Sequence, residues 1–278
     1  MSEAGDTFDR SLVHWSEGGR AEMDLFYRVA TLDYRELATA WDWAGWFQGR
    51  LAGCDAPLRV LDVACGSGKF PTALREHTSL GELDGTPIHV DLLDPAPFSL
   101  REARAALAPP MVPGRSFACT LQALPRDATG YAMVWAVHAL YALPADELPA
   151  GVDAFLRALA PDGLGFVGHA TRDAHYLRFY EAYRAGRRPD ATPYTSAEAV
   201  EAAFRRAGAH VDARRVRYHQ RIDDPAVLEG FLQRCLFDRT LTLEAMRRDA
   251  HLGPYLAARR EGNAYRFEQE ALMLFIRR

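Results

Sequence analysis

"LRVLDVACGSGKF", residues 58–70, decides how the rest of the chain is read. Residues 58–64 form a short apolar run ending in Asp62–Ala64, the pattern of a strand buried on both faces of a parallel sheet. The run passes into a turn carrying Gly66 and Gly68. A phosphate loop of the form G-x-x-x-x-G-K-[ST] is not met. Val63 stands at its first glycine, and Phe70 stands where a hydroxyl must meet magnesium. The dinucleotide fingerprint G-x-G-x-x-G/A is weakened, because Pro71 occupies the third position, where close helix–strand packing wants Gly or Ala. A lone G-x-G says little, so the flanking chain has to decide.

Downstream, strands and helices alternate with short links. "PIHVDLLD" (87–94) reads as a second strand. "SLREARAAL" (99–107) reads as a helix with Ser99 and Glu102 at capping-box spacing. "RSFACTLQA" (115–123) and "YAMVWAVHAL" (131–140) read as the third and fourth strands. The helix in 145–160 is followed by a fifth strand, "LGFVGHA" (164–170). This alternation predicts a doubly wound α/β sheet. The last third departs from it, with a helix at 196–209, an alternating edge-type strand at 210–222, helix over 224–260 and a closing apolar strand at 266–278. Residues 1–52 read as an N-terminal helical cap, with "HWSEGG" (14–19) as its flexible element. Residues 53–278 read as the core, carrying a helical insertion at about 224–260.

Bulk properties narrow the function. The 278 residues are 49% hydrophobic and 25% charged with a net charge of −4, an ordinary globular composition that offers no global attraction to nucleic acid or an anionic membrane. Lys69 is the only lysine. Cys54, Cys65, Cys119 and Cys235 are scattered, so neither a disulfide framework nor a zinc site is expected. The polar, acidic "MSEAGDTFDR" is unlike a secretory leader, and no apolar run is long enough to span a bilayer, so a cytoplasmic location is expected. No spacing of acids and histidines suggests a metal site. The acids of "RIDDPAV" (221–227) read as a helix N-terminus, and the arginines of 205–221 as a solvated edge strand.

The stretch "VLDVACGSGKF" resembles motif I of class I S-adenosylmethionine-dependent methyltransferases, usually [DE]-x-G-x-G-x-G. Asp62, Ala64, Gly66 and Gly68 fall on its four marked positions, with Ala64 replacing the first glycine and Cys65 inside the turn. The resemblance covers residues 58–170. It implies a Rossmann-like, mostly parallel seven-stranded sheet with helical cap segments. It also implies S-adenosyl-L-methionine as cofactor. Asp62 would act near the methionine end. Asp94, with Asp91 as runner-up, would accept the ribose hydroxyls. Gln122–Ala123 would meet the adenine, and the backbone around Ala136–Val137 the methionine amino group. Small residues in such a turn let the backbone approach a ligand, and backbone N–H groups at a helix start attract a carboxylate.

In open α/β sheets, ligands bind beyond the carboxyl ends of the strands. That makes His138 and Tyr141 after the fourth strand, and His169 after the fifth, candidate catalytic residues, with His138 as a general base. Tyr176, a fourth candidate at the catalytic end, shares a helical face with Tyr180 and Tyr183 that would wall a flat acceptor. The tryptophans at 41, 43 and 46 read better as core. "AVHALY" (136–141) stands where enzymes that methylate exocyclic base nitrogens carry [DNS]-P-P-[YFW]. The expectation is therefore a small-molecule methyltransferase, aromatic or indole-type acceptors being favoured, in specialised metabolism, with no nucleic-acid or membrane partner and compatible with a homodimer. A nucleic-acid methyltransferase and a non-catalytic cofactor-binding partner protein are the alternatives.

Overall fold

The apolar run at 58–64 forms β1 (Leu58–Val63), and its burial on both faces follows from where it lies. In this computed structural model, which describes residues 7–52, 57–83, 85 and 87–278, β1 pairs in parallel with β2 (Ile88–Leu93) on one side and β4 (Tyr131–Val137) on the other. The start of the acidic N-terminus and residues 53–56, with Cys54, fall outside the described residues. The strands β3 (Met111–Phe117), β5 (Leu159–Ala170), β6 (His210–Ile222) and β8 (Ala264–Arg277) complete a path in the order β3-β2-β1-β4-β5-β8-β6. Antiparallel β8 is inserted between β5 and β6. The chain leaves β1 toward β2 and returns on its other side as β4. This reversal opens a crevice at the carboxyl ends of the two strands.

The seven-strand doubly wound expectation is met, with one addition. A two-residue strand, β7 (Arg260–Glu261), folds back on Ala264 and Tyr265 through Gly262–Asn263, with Gly262 at φ +63°. Gly-Asn is a hairpin signal, and it stands in the gap left between the helical reading of 224–260 and the strand reading of 266–278. Two further corrections concern boundaries. The third strand was expected at 115–123 but is Met111–Phe117, with a 3₁₀ turn at Leu121–Ala123. β3 is an edge strand, the place in a sheet where a proline such as Pro113 is tolerated. The helix expected from Ser99 is α5 (Pro97–Ala106), so Ser99 and Glu102 are not its capping box. The Asp94 carboxylate accepts from the Ala96 N–H instead, and Glu102 pairs with Arg20.

Helices cover both faces. One side of the sheet packs against the end of α2 (Arg20–Thr39), α3 (Trp43–Leu51), α4 (Lys69–His77) and α5, around Trp43, Phe70, Trp135 and Phe166. Trp43 is fully buried, with Trp41 and Trp46 packed around it, so this cluster is core. The other side packs against α6 (Leu148–Ala158) and α8 (Ala197–Arg206). Each fully buried Leu or Phe contributes about 2–3 kcal/mol through burial. A third cluster lies over the crevice. It joins α7 (His175–Arg187), α9 (Pro225–Leu236), α10 (Leu243–Arg248) and α11 (Leu252–Ala257) to the far ends of β6 and β8, and α2 packs on α9. Asp224 caps α9 by accepting from the Ala226 and Val227 N–H groups, as "RIDDPAV" suggested. The arginines of β6 are largely solvated, Arg215 and Arg217 both pairing with Glu270. No described helix is long and apolar enough to cross a membrane.

Candidate functional site

The glycine turn builds one end of a cavity at the strand ends. Gly66 and Gly68 have φ of +51° and +72°, left-handed values that glycine adopts without strain. Their surroundings differ. A Cβ on Gly68 would lie 3.1 Å from Ala103 of α5, so this glycine serves helix packing. A Cβ on Gly66 would meet nothing nearer than the Tyr27 hydroxyl at 3.8 Å, and Gly66 lines the cavity, so its missing side chain leaves a cradle. Ala64 shares the left-handed conformation at φ +51°, which costs an L-residue about 1 kcal/mol.

Two carboxylates flank this turn. Asp62 is buried and lines the cavity, and its Oδ2 has no hydrogen-bond partner among protein atoms. Burial raises its pKa to about 8, with the nearby Asp94 adding to the rise. Asp94 accepts from the Gly66 N–H at 3.0 Å and from the Ala96 N–H at 2.8 Å, which joins the two halves of the site and leaves it free lone pairs. Asp91, the runner-up, is elsewhere. It accepts from Tyr131, Arg115 and Arg59 in an ion-pair network and does not line the cavity. Cys65 lines the cavity as well, and burial pushes its thiol pKa up, so it is not a nucleophile. Lys69 is half-buried in the cavity wall, its Nζ 4.6 Å from the centre of the Tyr27 ring.

The residues expected to meet the adenine and the amino group lie in and beside the cavity wall. Gln122 lines the cavity, and its amide donates to Glu147 at 2.5 Å. Ala123 is exposed and outside the lining, where Thr120 and Leu121 stand instead. Of the Ala136–Val137 stretch, Val137 lines the cavity, while the Ala136 side chain is wholly buried in the second core cluster. Strand alternation sends the two side chains to opposite sides of the sheet.

Three of the four candidate catalytic residues converge. His138, with φ +51°, bonds the Tyr141 hydroxyl through Nδ1 at 2.5 Å, while its Nε2 is buried without a partner. Burial, with His169 nearby, lowers its pKa to about 3, so the ring is neutral at physiological pH. When the Tyr141 hydroxyl donates to Nδ1, Nε2 carries the ring proton and is a donor rather than a base. His138, Tyr141 and Tyr176 all line the cavity, Tyr176 lying 6.2 Å from His138 and 6.3 Å from Tyr141 between ring centres. His169 stays behind them. Its ring stacks on Tyr141 at 4.1 Å, its Nε2 bonds the Thr195 carbonyl, and it does not reach the cavity lining. Tyr180 and Tyr183 leave the site too, their hydroxyls bonded to Thr7 and Asp238.

Sequence reasoning missed Asp33 on α2. It is 2% exposed, lines the cavity and accepts from the Tyr176 hydroxyl at Oδ2 and from Gln220 Nε2 at Oδ1, 2.6 Å away. Gln269 in turn donates to Gln220. Burial raises its pKa to about 7 against the hydrogen bonds that lower it. The available signal was an acid on the apolar face of an amphipathic helix, at helical spacing from Ala30 and Leu37. No cluster of His, Cys, Asp or Glu able to hold a metal occurs among the described residues.

Comparisons with known proteins agree with this geometry. A family model described as a methyltransferase domain matches residues 60–163, which run from β1 to the start of β5. No curated protein matches the chain. Among solved structures, magnesium protoporphyrin IX methyltransferase from Synechocystis, with bound SAH, is similar at 13% identity and TM-score 0.54 over 97% of this chain and 100% of that one. A Bacillus halodurans protein named as a candidate methyltransferase is similar at 15% identity and TM-score 0.56, over 85% and 99%. The YcgJ protein of Bacillus subtilis is similar at 15% identity and TM-score 0.52, over 84% and 98%. At these identities the likeness is one of fold.

Proposed function

We propose, from the premise that this chain is a class I S-adenosylmethionine-dependent methyltransferase, that it methylates a small, flat acceptor bearing an ionisable O–H or N–H group. The observation that carries the reading is one continuous cavity, running from the Gly66 turn to a buried chamber walled by Phe26, Tyr34, Tyr141 and Tyr176 with Asp33 in its wall. Such a chamber suits a small ring better than a polymer, and its ring faces also suit a cation.

The residues present fit the cofactor. The Gly66 cradle, the partnerless Asp62 Oδ2 and the free lone pairs of Asp94 form a donor and acceptor set for an amino acid joined to a ribose. Asp62 and the turn would hold the amino-acid end, Asp94 the ribose, and Thr120–Gln122 the base. When bound, S-adenosylmethionine supplies a sulfonium methyl group for displacement by a nucleophile.

The chain's own contribution is positioning and proton handling. The aromatic walls exclude water and hold the acceptor flat. An acceptor O–H or N–H placed against the Tyr176 oxygen passes its proton there as the Tyr176 proton moves to Asp33 Oδ2. A carboxyl with a pKa of about 7 suits this role better than an imidazole held neutral down to pH 3. His138 Nε2–H orients a ligand oxygen. Aromatic natural products of specialised metabolism have this acceptor chemistry.

Transfer of labelled methyl groups to a panel of phenols, anilines and indoles tests the reading, with tRNA, duplex DNA and peptides alongside. Label in the small aromatics alone is expected. Label in nucleic acid alone overturns the reading, and no transfer to anything despite cofactor binding favours a non-catalytic binding protein.

A further inference from the structure

Proton transfer leaves a deeply buried cation in the cavity wall unused. Arg234 on α9 is 2% exposed, yet it lines the cavity. Its Nη1 donates to the His14 backbone carbonyl, while Nε and Nη2 have no hydrogen-bond partner among protein atoms. No carboxylate of the described residues forms an ion pair with it. Burial lowers its pKa to about 10, so it remains a cation at neutral pH. The neighbouring His14 is neutral, its pKa lowered to about 4 by burial and by Arg234 itself. Glu22 acts on Arg234 only at long range.

A buried, unpaired guanidinium is costly to fold, and its two open N–H groups keep that cost unless an anion completes them. The fork of a guanidinium matches a carboxylate in two parallel hydrogen bonds. Its setting narrows the ligand further. The Arg234 guanidinium carbon lies 4.2 Å over the Trp15 ring, and Tyr194, Phe237 and Tyr27 line the same part of the chain's cavity. The Trp15 face set against the guanidinium favours a carboxylate carried on an apolar body over a bulky polyanion.

We infer that Arg234 is the carboxylate anchor of this cavity, holding the acid group of a bound ligand through its free Nε and Nη2. The inference rests on the cavity being the joint site of cofactor and acceptor, and two ligands there can bring the carboxylate: the methyl acceptor or the amino-acid end of the cofactor.

Calorimetry on the full chain and its Arg234→Met and Arg234→Lys variants separates these sources. S-adenosylhomocysteine is compared with 5′-methylthioadenosine, which lacks the carboxylate. Indole-3-acetate and salicylate are compared with their neutral amides. The wild type should prefer the acid in at least one pair, and Arg234→Met should remove about ten- to hundredfold of affinity from that acid while leaving its neutral partner unchanged. Arg234→Lys should restore part of the loss. An effect confined to the nucleoside pair assigns the anchor to the cofactor, and one confined to the aromatic pair assigns it to the acceptor. Absence of any acid preference in the wild type, or equal losses for acid and amide in the variant, overturns the anchor. Retained binding of 5′-methylthioadenosine shows that a variant is folded. Failure of the wild type to bind either nucleoside sinks the functional reading instead, whatever the aromatic pairs do.

Discussion

Replacing Asp33 by Asn separates stability from catalysis, because the structure asks opposite things of this carboxyl. Its folded pKa of about 7 lies above the unfolded value of 3.8. Between those two pH values the folded state holds a proton that the unfolded state has lost, so stability falls as pH rises through the window and levels off above pH 7. A span of about three pH units at about 1.4 kcal/mol each gives roughly 4 kcal/mol lost by the wild type between pH 4 and pH 8. Asn cannot ionise and escapes this loss. It also replaces one acceptor oxygen with a donor, so a bond from Tyr176 or Gln220 is lost at about 1 kcal/mol. The variant should be slightly less stable than the wild type at pH 4.5 and roughly 3 kcal/mol more stable at pH 8. Asp62 titrates in both proteins and cancels in the comparison. Activity should move the other way. The wild-type rate should climb through pH 7 as Asp33 ionises, and the variant should lose that limb together with about 10²–10⁴-fold in kcat/KM. Urea unfolding at the two pH values and a pH–rate profile measure both. A variant that is no more stable at pH 8, or that keeps near-wild-type activity, would refute the assignment of Asp33.

The remaining predictions concern the glycine turn and its acid. Gly66→Val should abolish binding of S-adenosylhomocysteine, since its side chain fills the cradle; near-normal affinity would remove the cofactor from this turn. Gly68→Ala should instead lower stability by about 1–3 kcal/mol, because its Cβ meets α5 at 3.1 Å in a left-handed backbone, and an unchanged melting temperature would contradict that packing. Ala64→Gly should raise stability by about 1 kcal/mol in urea by relieving the same backbone strain. Asp62, protonated up to about pH 8 by burial, should release close to one proton when the ammonium of S-adenosylhomocysteine arrives at pH 7. Calorimetry in buffers of different ionisation enthalpy reads that release, and Asp62→Asn should eliminate it.

The doubly wound order was legible because β1, β2, β4 and the second half of β5 are local, continuous apolar runs bounded by turn residues, as burial on both faces requires, whereas the half-exposed edge strand β3 carried no such run and its bounds were misplaced. Asp62, Gly66 and Asp94 were legible for a related reason. They stand at the carboxyl ends of the adjacent parallel strands β1 and β2, where the backbone itself makes the site. Asp33, Arg234 and Trp15 were not, because their meaning depends on elements far apart in sequence. Asp33 becomes a candidate base only when Tyr176 from α7 and Gln220 from β6 close around it and remove it from water. Arg234 is an ordinary helix arginine until Trp15 and His14 bury it. The sequence by itself determined the sheet and the cofactor end, whose chemistry is carried by local backbone geometry. Only the tertiary structure decided the acceptor end, because burial and the pairing of charges there are properties of how α1 (Thr7–His14), α2, α7 and α9 meet.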